Sequence, residues 1–180
     1  MEIEFSAEKE DFLVHQLFVS SRSKYTLSRR KRNRILIPVL YLAMAGLLYA
    51  LNMKAASIIF AIVAVLWFFL YPLYSRWLYK RHYARHIDEH YKGQIGKKGK
   101  LSVTEEHIGL VNEASDSKVK LSEVKNIFEL PAHFLIQLES GVSLVIPKEK
   151  VASDLLCKFI EKLEEFTKMK RKDETNWKWR

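Results

Sequence analysis

The spacing of apolar residues changes character several times along the chain, and each change predicts an element. Ile3 and Phe5 alternate with Glu2 and Glu4, the two-residue period of a short strand. Ser6 then stands at a helix N-cap position, ahead of Glu8, Glu10 and Asp11 in a first turn where acids suit the helix dipole. Leu13, Val14, Leu17 and Phe18 give that helix an apolar stripe. Phe12 falls off the stripe, so this helix is expected to make a second contact or to lie on a membrane. Ser20 to Ser28 reads as a polar connector.

Two uncharged runs follow. Ile35–Leu51 reads "ILIPVLYLAMAGLLYAL" and Ala55–Tyr74 reads "AASIIFAIVAVLWFFLYPLY", with only Asn52, Met53 and Lys54 between them. A helix needs about 17–25 residues to cross ~30 Å of hydrocarbon, so the second run is long enough alone and the first is near the limit. A hairpin buried inside a soluble protein is disfavoured by this apolar length. A cleaved signal peptide is disfavoured by the late start, the second run and the missing small-residue cleavage pattern. The expected element is a two-span hairpin, with spans at about 35–52 and 55–74. Pro38 and Pro72 fall near the expected helix ends, where a lost backbone donor costs least. Gly46 with Ala50, and Ser57 with Ala61, have the four-residue spacing that permits close helix approach.

Beyond Gly93, Gly96 and Gly99 the period shortens again. Lys100–Thr104, His107–Glu113, Ser117–Leu121, Val124–Leu130, His133–Glu139 and Val142–Pro147 read as short strands, with turns at Ala114–Asp116 and Ser140–Gly141. Phe134, Ile136 and Leu138 share one face, as do Val142, Leu144 and Ile146. A helix capped by Ser153 follows, with Leu155, Phe159, Leu163 and Phe166 clustered on one side and widened by Leu156 and Ile160. Cys157 projects onto its polar side as an exposed thiol. Five or six antiparallel strands covered by one amphipathic helix make a small α+β domain. The chain thus divides into an N-terminal strand and helix (1–28), the transmembrane hairpin (29–79), a juxtamembrane helix and linker (80–99), the strand domain (100–167) and a basic tail (168–180).

Charge refines this picture. The 180 residues carry a formal net charge of +9, which invites nucleic acid as a partner until the charge is located. Arg29, Arg30, Lys31, Arg32 and Arg34 precede the first span, and Arg76, Lys80, Arg81 and Arg85 follow the second. Only Lys54 occupies the connecting turn. The positive-inside rule then puts both termini in the cytoplasm, in a multi-pass protein of the cell inner membrane whose basic blocks meet an anionic inner leaflet. That placement accounts for the basic blocks without nucleic acid. Tyr71, Tyr74 and Trp77 suit the same interface, and Trp177 and Trp179, alternating with Lys178 and Arg180, suit a tail that dips into the leaflet or docks on a partner. The spans contain no ionisable residue except tyrosine, so a transporter built from this hairpin alone is not expected. The hairpin reads as an anchor.

Site chemistry is scarce. The chain has no Gly-x-Ser-x-Gly elbow, Walker loop, dinucleotide fingerprint or Cys-x-x-Cys, and the lone Cys157 excludes an intramolecular disulfide. Ser115, Asp116, His107 and His133 make a hydrolytic set only on paper, and the adjacent Glu105 and Glu106 need not face each other. No enzyme, cofactor, resident metal or small-molecule substrate is expected. Binding is the better expectation. Lys118, Lys120 and Lys125, with Lys97, Lys98 and Lys100, offer a basic face to anionic lipid or protein, against the plainer reading of solvated surface lysines.

Three phrases within Lys100–Lys148 carry a resemblance: "TEEHI" at Thr104–Ile108, "LSEVKNIFE" at Leu121–Glu129 and "IPK" at Ile146–Lys148. With the acidic N-terminal helix and the two-span hairpin, they make the chain similar to the YcxB-like membrane proteins. That family often has tryptophan where Leu121 stands and an aromatic where Val151 stands. The resemblance implies a cytoplasmic domain similar to pleckstrin-homology-like half-barrels, and it implies no reaction. Two functional classes follow. One is a non-enzymatic membrane protein whose cytoplasmic domain binds protein or anionic lipid, with a protein partner or a second copy of itself. The other is an immunity- or defence-type protein, or an accessory subunit of a membrane complex, that acts through the hairpin.

Lys80–Lys92, "KRHYARHIDEHYK", holds histidines at 82, 86 and 90. On a helix continuing from the second span they share one side, but the outer two lie about 12 Å apart at ~1.5 Å rise per residue, too far for one ion. Tyr79, Tyr83, Ile87 and Tyr91 run beside them at the same spacing. This aromatic stripe is the expected docking face of the stalk, against the N-terminal helix or the strand domain. The histidines would edge that contact, with pH sensing as a residual role.

Overall fold

The alternation at Glu2–Ser6 does produce a strand, β1, but its partner lies on the far side of the hairpin. The computed structural model describes residues 1–112 and 115–179, and of Ser115 only the backbone, so the predicted turn at Ala114–Asp116 falls partly outside the described residues. β1 pairs antiparallel with β2 (Lys98–Val103), Ser6 opposite Lys98 and Glu2 opposite Ser102. Between them run α1 (Lys9–Arg22), α2 (Lys24–Ala50) and α3 (Lys54–His90). The chain forms two units, Met1–Gln16 with Ala84–Lys178, and Leu17–Tyr83 with the C-terminal Trp179.

In the first unit β1 and β2 are extended by β3 (His107–Asn112) and β4 (Ser115–Lys120) into one four-stranded antiparallel sheet. A second sheet is built from β5 (Val124–Glu129), β6 (His133–Leu138) and β7 (Ser143–Pro147). Its outer strand, β8 (Lys172–Asp173), pairs parallel with β5. Neither sheet closes into a barrel. Gly141, at φ +86°, turns β6 into β7, as the Ser-Gly pair predicts.

The helix α4 (Ser153–Thr167) covers a core that draws on both sheets, including Ile3, Leu101, Ile127 and Ile136. Its buried face is Leu156, Phe159, Ile160 and Leu163. The predicted stripe was centred on Leu155, Phe159, Leu163 and Phe166; the actual one is rotated, and Leu155 is 40% exposed. Positions i, i+3, i+4 and i+7 starting from Leu156 make the narrower seam, which suits a helix laid over paired sheets. Ser153 is the first helical residue rather than the cap; Ala152 occupies the cap position without a side-chain bond. Val142, expected in the core, is exposed at the hairpin tip. Leu121 and Val151 both lie in the core cluster.

The segment read as a basic tail is structured. Arg171 lies 3.4 Å from Glu129 and donates its backbone N–H to Glu164, while Lys172 bonds Asn126. Those partners are on β5 and α4, which explains why a two-residue strand forms without an apolar pattern to announce it.

In the second unit the connector expected at Ser20–Ser28 shrinks to one residue. Ser23 ends α1 and caps α2, its Oγ accepting the Thr26 N–H. The arginine-rich block is therefore helical, and α2 and α3 reach 27 and 37 residues. Both proline positions consequently fall inside helices. Pro72 has no N–H to offer the Phe68 carbonyl, and the Arg34 Nε donates to that carbonyl instead, at 3.4 Å. The helices reverse over Leu51–Met53, with Asn52 in the left-handed region at φ 62°. They meet at Ala45, Ser57 and Ala64, where the Ser57 hydroxyl donates to the Ala45 carbonyl at 2.8 Å. Gly46, expected at the contact, faces open space. Leu40, Ile58, Phe69 and Leu73 are 55–70% exposed. Both helices are long and apolar enough to cross a membrane.

Candidate functional site

The basic end of the α2–α3 hairpin is the most unusual surface in the chain. From Phe12 to Ile87 the sequence has no Asp or Glu, yet it holds both basic blocks. Their arginines accordingly bond neutral groups. Arg30 donates through Nε and Nη2 to the Ser75 hydroxyl at 3.3 and 3.2 Å, and that hydroxyl donates to the Pro72 carbonyl. The Arg30 guanidinium also lies over the rings of Trp179 and Tyr79, at 5.0 and 5.8 Å. Trp179 is held by two reciprocal bonds: Arg76 Nη2 donates to its carbonyl at 3.0 Å, and its indole Nε1 donates to the Arg76 carbonyl at 3.2 Å. Arg34 covers Phe68 and Arg81 covers Trp77.

The remaining predicted surface cations, Arg29, Lys31, Arg32 and Arg85, are exposed. Of the two tail tryptophans, Trp179 belongs to the hairpin unit, whereas Trp177 follows a turn that closes on the Glu174 carbonyl in the strand unit. Ser75 and the return of Trp179 to Arg30 were invisible beforehand. A lone serine in a helix carries no signal, and a terminal aromatic has no periodicity.

The aromatic stripe divides. Tyr79 and Tyr83 belong to the hairpin unit, with ring centroids 6.3 Å apart. Ile87 and Tyr91 belong to the strand unit, where Ile87 is fully buried and Tyr91 meets Phe12 of α1 at 5.1 Å. Phe12 thus has the second contact that its off-stripe position predicts. Beside it Lys9 and Asp88 form an ion pair at 2.6 Å.

The histidines are dispersed. His86 and His90 stack at 4.3 Å, with His90 Nδ1 3.1 Å from the His86 carbonyl, and His82 meets the edge of Tyr83. Among the described residues no three His, Cys, Asp or Glu side chains converge on a metal position. His133 is buried and bonds Asp11 through Nε2 at 2.6 Å, tying α1 to β6, while the second Asp11 oxygen accepts the Glu8 N–H. Asp116 and His107 sit at opposite ends of the β3–β4 pair, so the paper hydrolytic set is not assembled. His15 is half-buried, its enclosed Nε2 has no hydrogen-bond partner among the described residues, and burial pushes its pKa down to about 4.

The basic face expected on the strands is partly neutralised. Lys100 pairs with Glu2 and Lys125 with Glu139, each at 2.6 Å. The Lys100 ammonium holds the Glu2 carboxyl below its ordinary range. A shallow depression of about 380 Å³ beside this pair is lined by Glu2, Glu4, Lys100, Lys150 and Leu155. Its mixed charge selects no obvious ligand.

Residues 103–160 match the family model described as YcxB-like protein. The matched stretch runs from the end of β2 into α4, contains the three phrases quoted above and leaves out the long apolar helices. No curated protein matches the chain.

Proposed function

We propose that the chain is a non-enzymatic, multi-pass protein of the inner membrane. In this reading α2 and α3 cross the bilayer, both termini are cytoplasmic, and the strand unit binds a protein or anionic lipid at the membrane surface. The observation that carries it is the hairpin itself: exposed Leu, Ile and Phe along both helices, and two uncompensated basic blocks at one end against the single Lys54 at the other. Exposed apolar surface on this scale is stable in hydrocarbon and unfavourable in water. The β1–β2 pairing supports the topology, because two crossings return the chain to the side it left.

The strand unit resembles pleckstrin-homology-like domains in its order of parts: four strands in one sheet, three in the next, then a covering helix. Fold likeness does not choose the ligand. Two of the sheet lysines, Lys100 and Lys125, are committed to carboxylates, which favours a protein partner for this unit and leaves anionic lipid to the arginines of the hairpin.

The exposed Cys157 provides a direct test. An impermeant maleimide should label Cys157 only after lysis, and should label an N52C/C157S variant in intact cells. Release of the protein by alkaline carbonate, or labelling of Cys157 in intact cells, contradicts the proposal. The second reading, action through the hairpin in an immunity system or membrane complex, is favoured by the mixed charge of the strand unit's shallow depression, which selects no obvious ligand. Replacing residues 35–74 with an unrelated two-span anchor separates the two, since partner capture by the strand unit survives only in the first.

A further inference from the structure

Arg30 is half-buried, and its charge has no carboxylate partner among the described residues. A buried cation is costly unless it is hydrogen-bonded and paired, and Ser75 supplies only the first of these. Arg76 adds a second positive charge at the same tryptophan: Arg30 lies 5.0 Å from the Trp179 ring centroid and Arg76 Nη2 donates to the Trp179 carbonyl at 3.0 Å. Such an arrangement persists when an anion from outside bridges the two cations. The geometry also prepares Arg30 to receive one. Ser75 takes its Nε and one Nη2 donor, and Tyr79 and Trp179 hold its plane, which leaves Nη1 outside the bonds to Ser75.

What the anion is follows from the surroundings. A planar guanidinium with parallel N–H groups matches the oxygens of a phosphate. On the same helices Leu36 and Leu73 are exposed on the apolar side of these arginines, at 48% and 60%. A ligand that suits both surfaces has a phosphate joined to alkyl chains.

We propose that Arg30 and Arg76, with Trp179 stacked on Arg30, form a subsite for the headgroup phosphate of an anionic lipid. The inference rests on the membrane reading above and deepens it: it assigns the lipid to two arginines instead of to the whole basic surface. Arg29 lies beside Arg30 in sequence, but it is exposed and has no such support. It is the natural control.

The test uses the full-length protein in a non-ionic detergent, titrated with phosphatidylglycerol and read by native mass spectrometry as bound lipid per protein. Phosphatidylcholine and inorganic phosphate serve as comparison probes. R30Q and R76Q should each weaken phosphatidylglycerol retention about fivefold, the effect of one cation near an anionic surface. R29Q should stay within about twofold of the parent. R30K, which keeps the charge without the fork, should fall between the parent and R30Q. Circular dichroism of each variant checks that the helices persist. Equal losses in R29Q and R30Q, or parental retention by R30K, overturn the subsite. Competition by inorganic phosphate at the same concentration as lipid overturns the lipid assignment. Either result leaves membrane insertion, tested by carbonate extraction, standing; extraction of the protein by carbonate removes the membrane reading instead.

Discussion

His15 makes the strand unit sensitive to mild acid, and the sign follows from its burial. Its imidazole is expected to titrate near 4 in the folded chain and near the ordinary 6.5 in the unfolded one. Above pH 6.5 both states are neutral and the residue contributes no pH dependence. As the pH falls from 6.5 towards 4, the unfolded chain takes up a proton that the folded chain refuses, so stability declines. It levels off below 4. The slope for one proton is about 1.4 kcal/mol per pH unit, giving a loss of up to about 3 kcal/mol across the window. The assay is urea unfolding of detergent-solubilised protein at pH 7.0, 5.5 and 4.5, followed by far-ultraviolet circular dichroism. His15→Leu removes the titration while keeping an apolar fill. Between pH 7.0 and 4.5 the parent should lose about 2–3 kcal/mol more than the variant. Parallel pH profiles would refute the reasoning, because an imidazole whose Nε2 is enclosed without a partner cannot be indifferent to protonation.

Other perturbations have equally definite expectations. Asp11→Asn or His133→Gln should each cost about 2–3 kcal/mol in the same urea assay, and the double variant should cost less than the sum, since the first change already orphans the partner. Phe159→Ala, at a fully buried position beneath α4, should cost about 3–5 kcal/mol and lower the urea midpoint without changing the helical signal of the hairpin. Lys168→Gly should raise the stability by about 0.5–1 kcal/mol, seen as a higher urea midpoint, because Lys168 ends α4 in the left-handed region at φ 55°.

Much of this architecture is written in local patterns. The uncharged runs produced two long helices, and strict alternation located β3, β5, β6 and β7 to within a few residues. What escaped was non-local. β1 could be seen as a strand, but nothing in Glu2–Ser6 names a partner at Lys98–Val103. β8 depends on Arg171 and Lys172 finding Glu129, Glu164 and Asn126, and such polar contacts leave no periodic trace. The stripe on α4 was misjudged because Leu155 and Leu156 are equally apolar, and only the sheets beneath decide which is covered. At the arginine cluster the cations were plain in the sequence. Their lack of any carboxylate from Phe12 to Ile87 was equally readable, and it is the fact that turns a basic patch into a demand for an outside anion. The role of Ser75 rests on a contact with Arg30, 45 residues away in sequence, that no local pattern announces.

The pairing of β1 with β2 has a consequence for how the molecule is made. Were the residues between Ser6 and Lys98 a random coil, bringing their ends together would cost about 4 kcal/mol of chain entropy. The helical hairpin largely removes that cost, because its two outer ends are already joined where Arg30 meets Ser75. During synthesis β1 emerges first and stays without a sheet partner until both long helices have formed. Closure of the first sheet therefore reports that the hairpin has been correctly completed. A chain stalled between the two helices would display β1 unpaired, a ready target for chaperones and proteases.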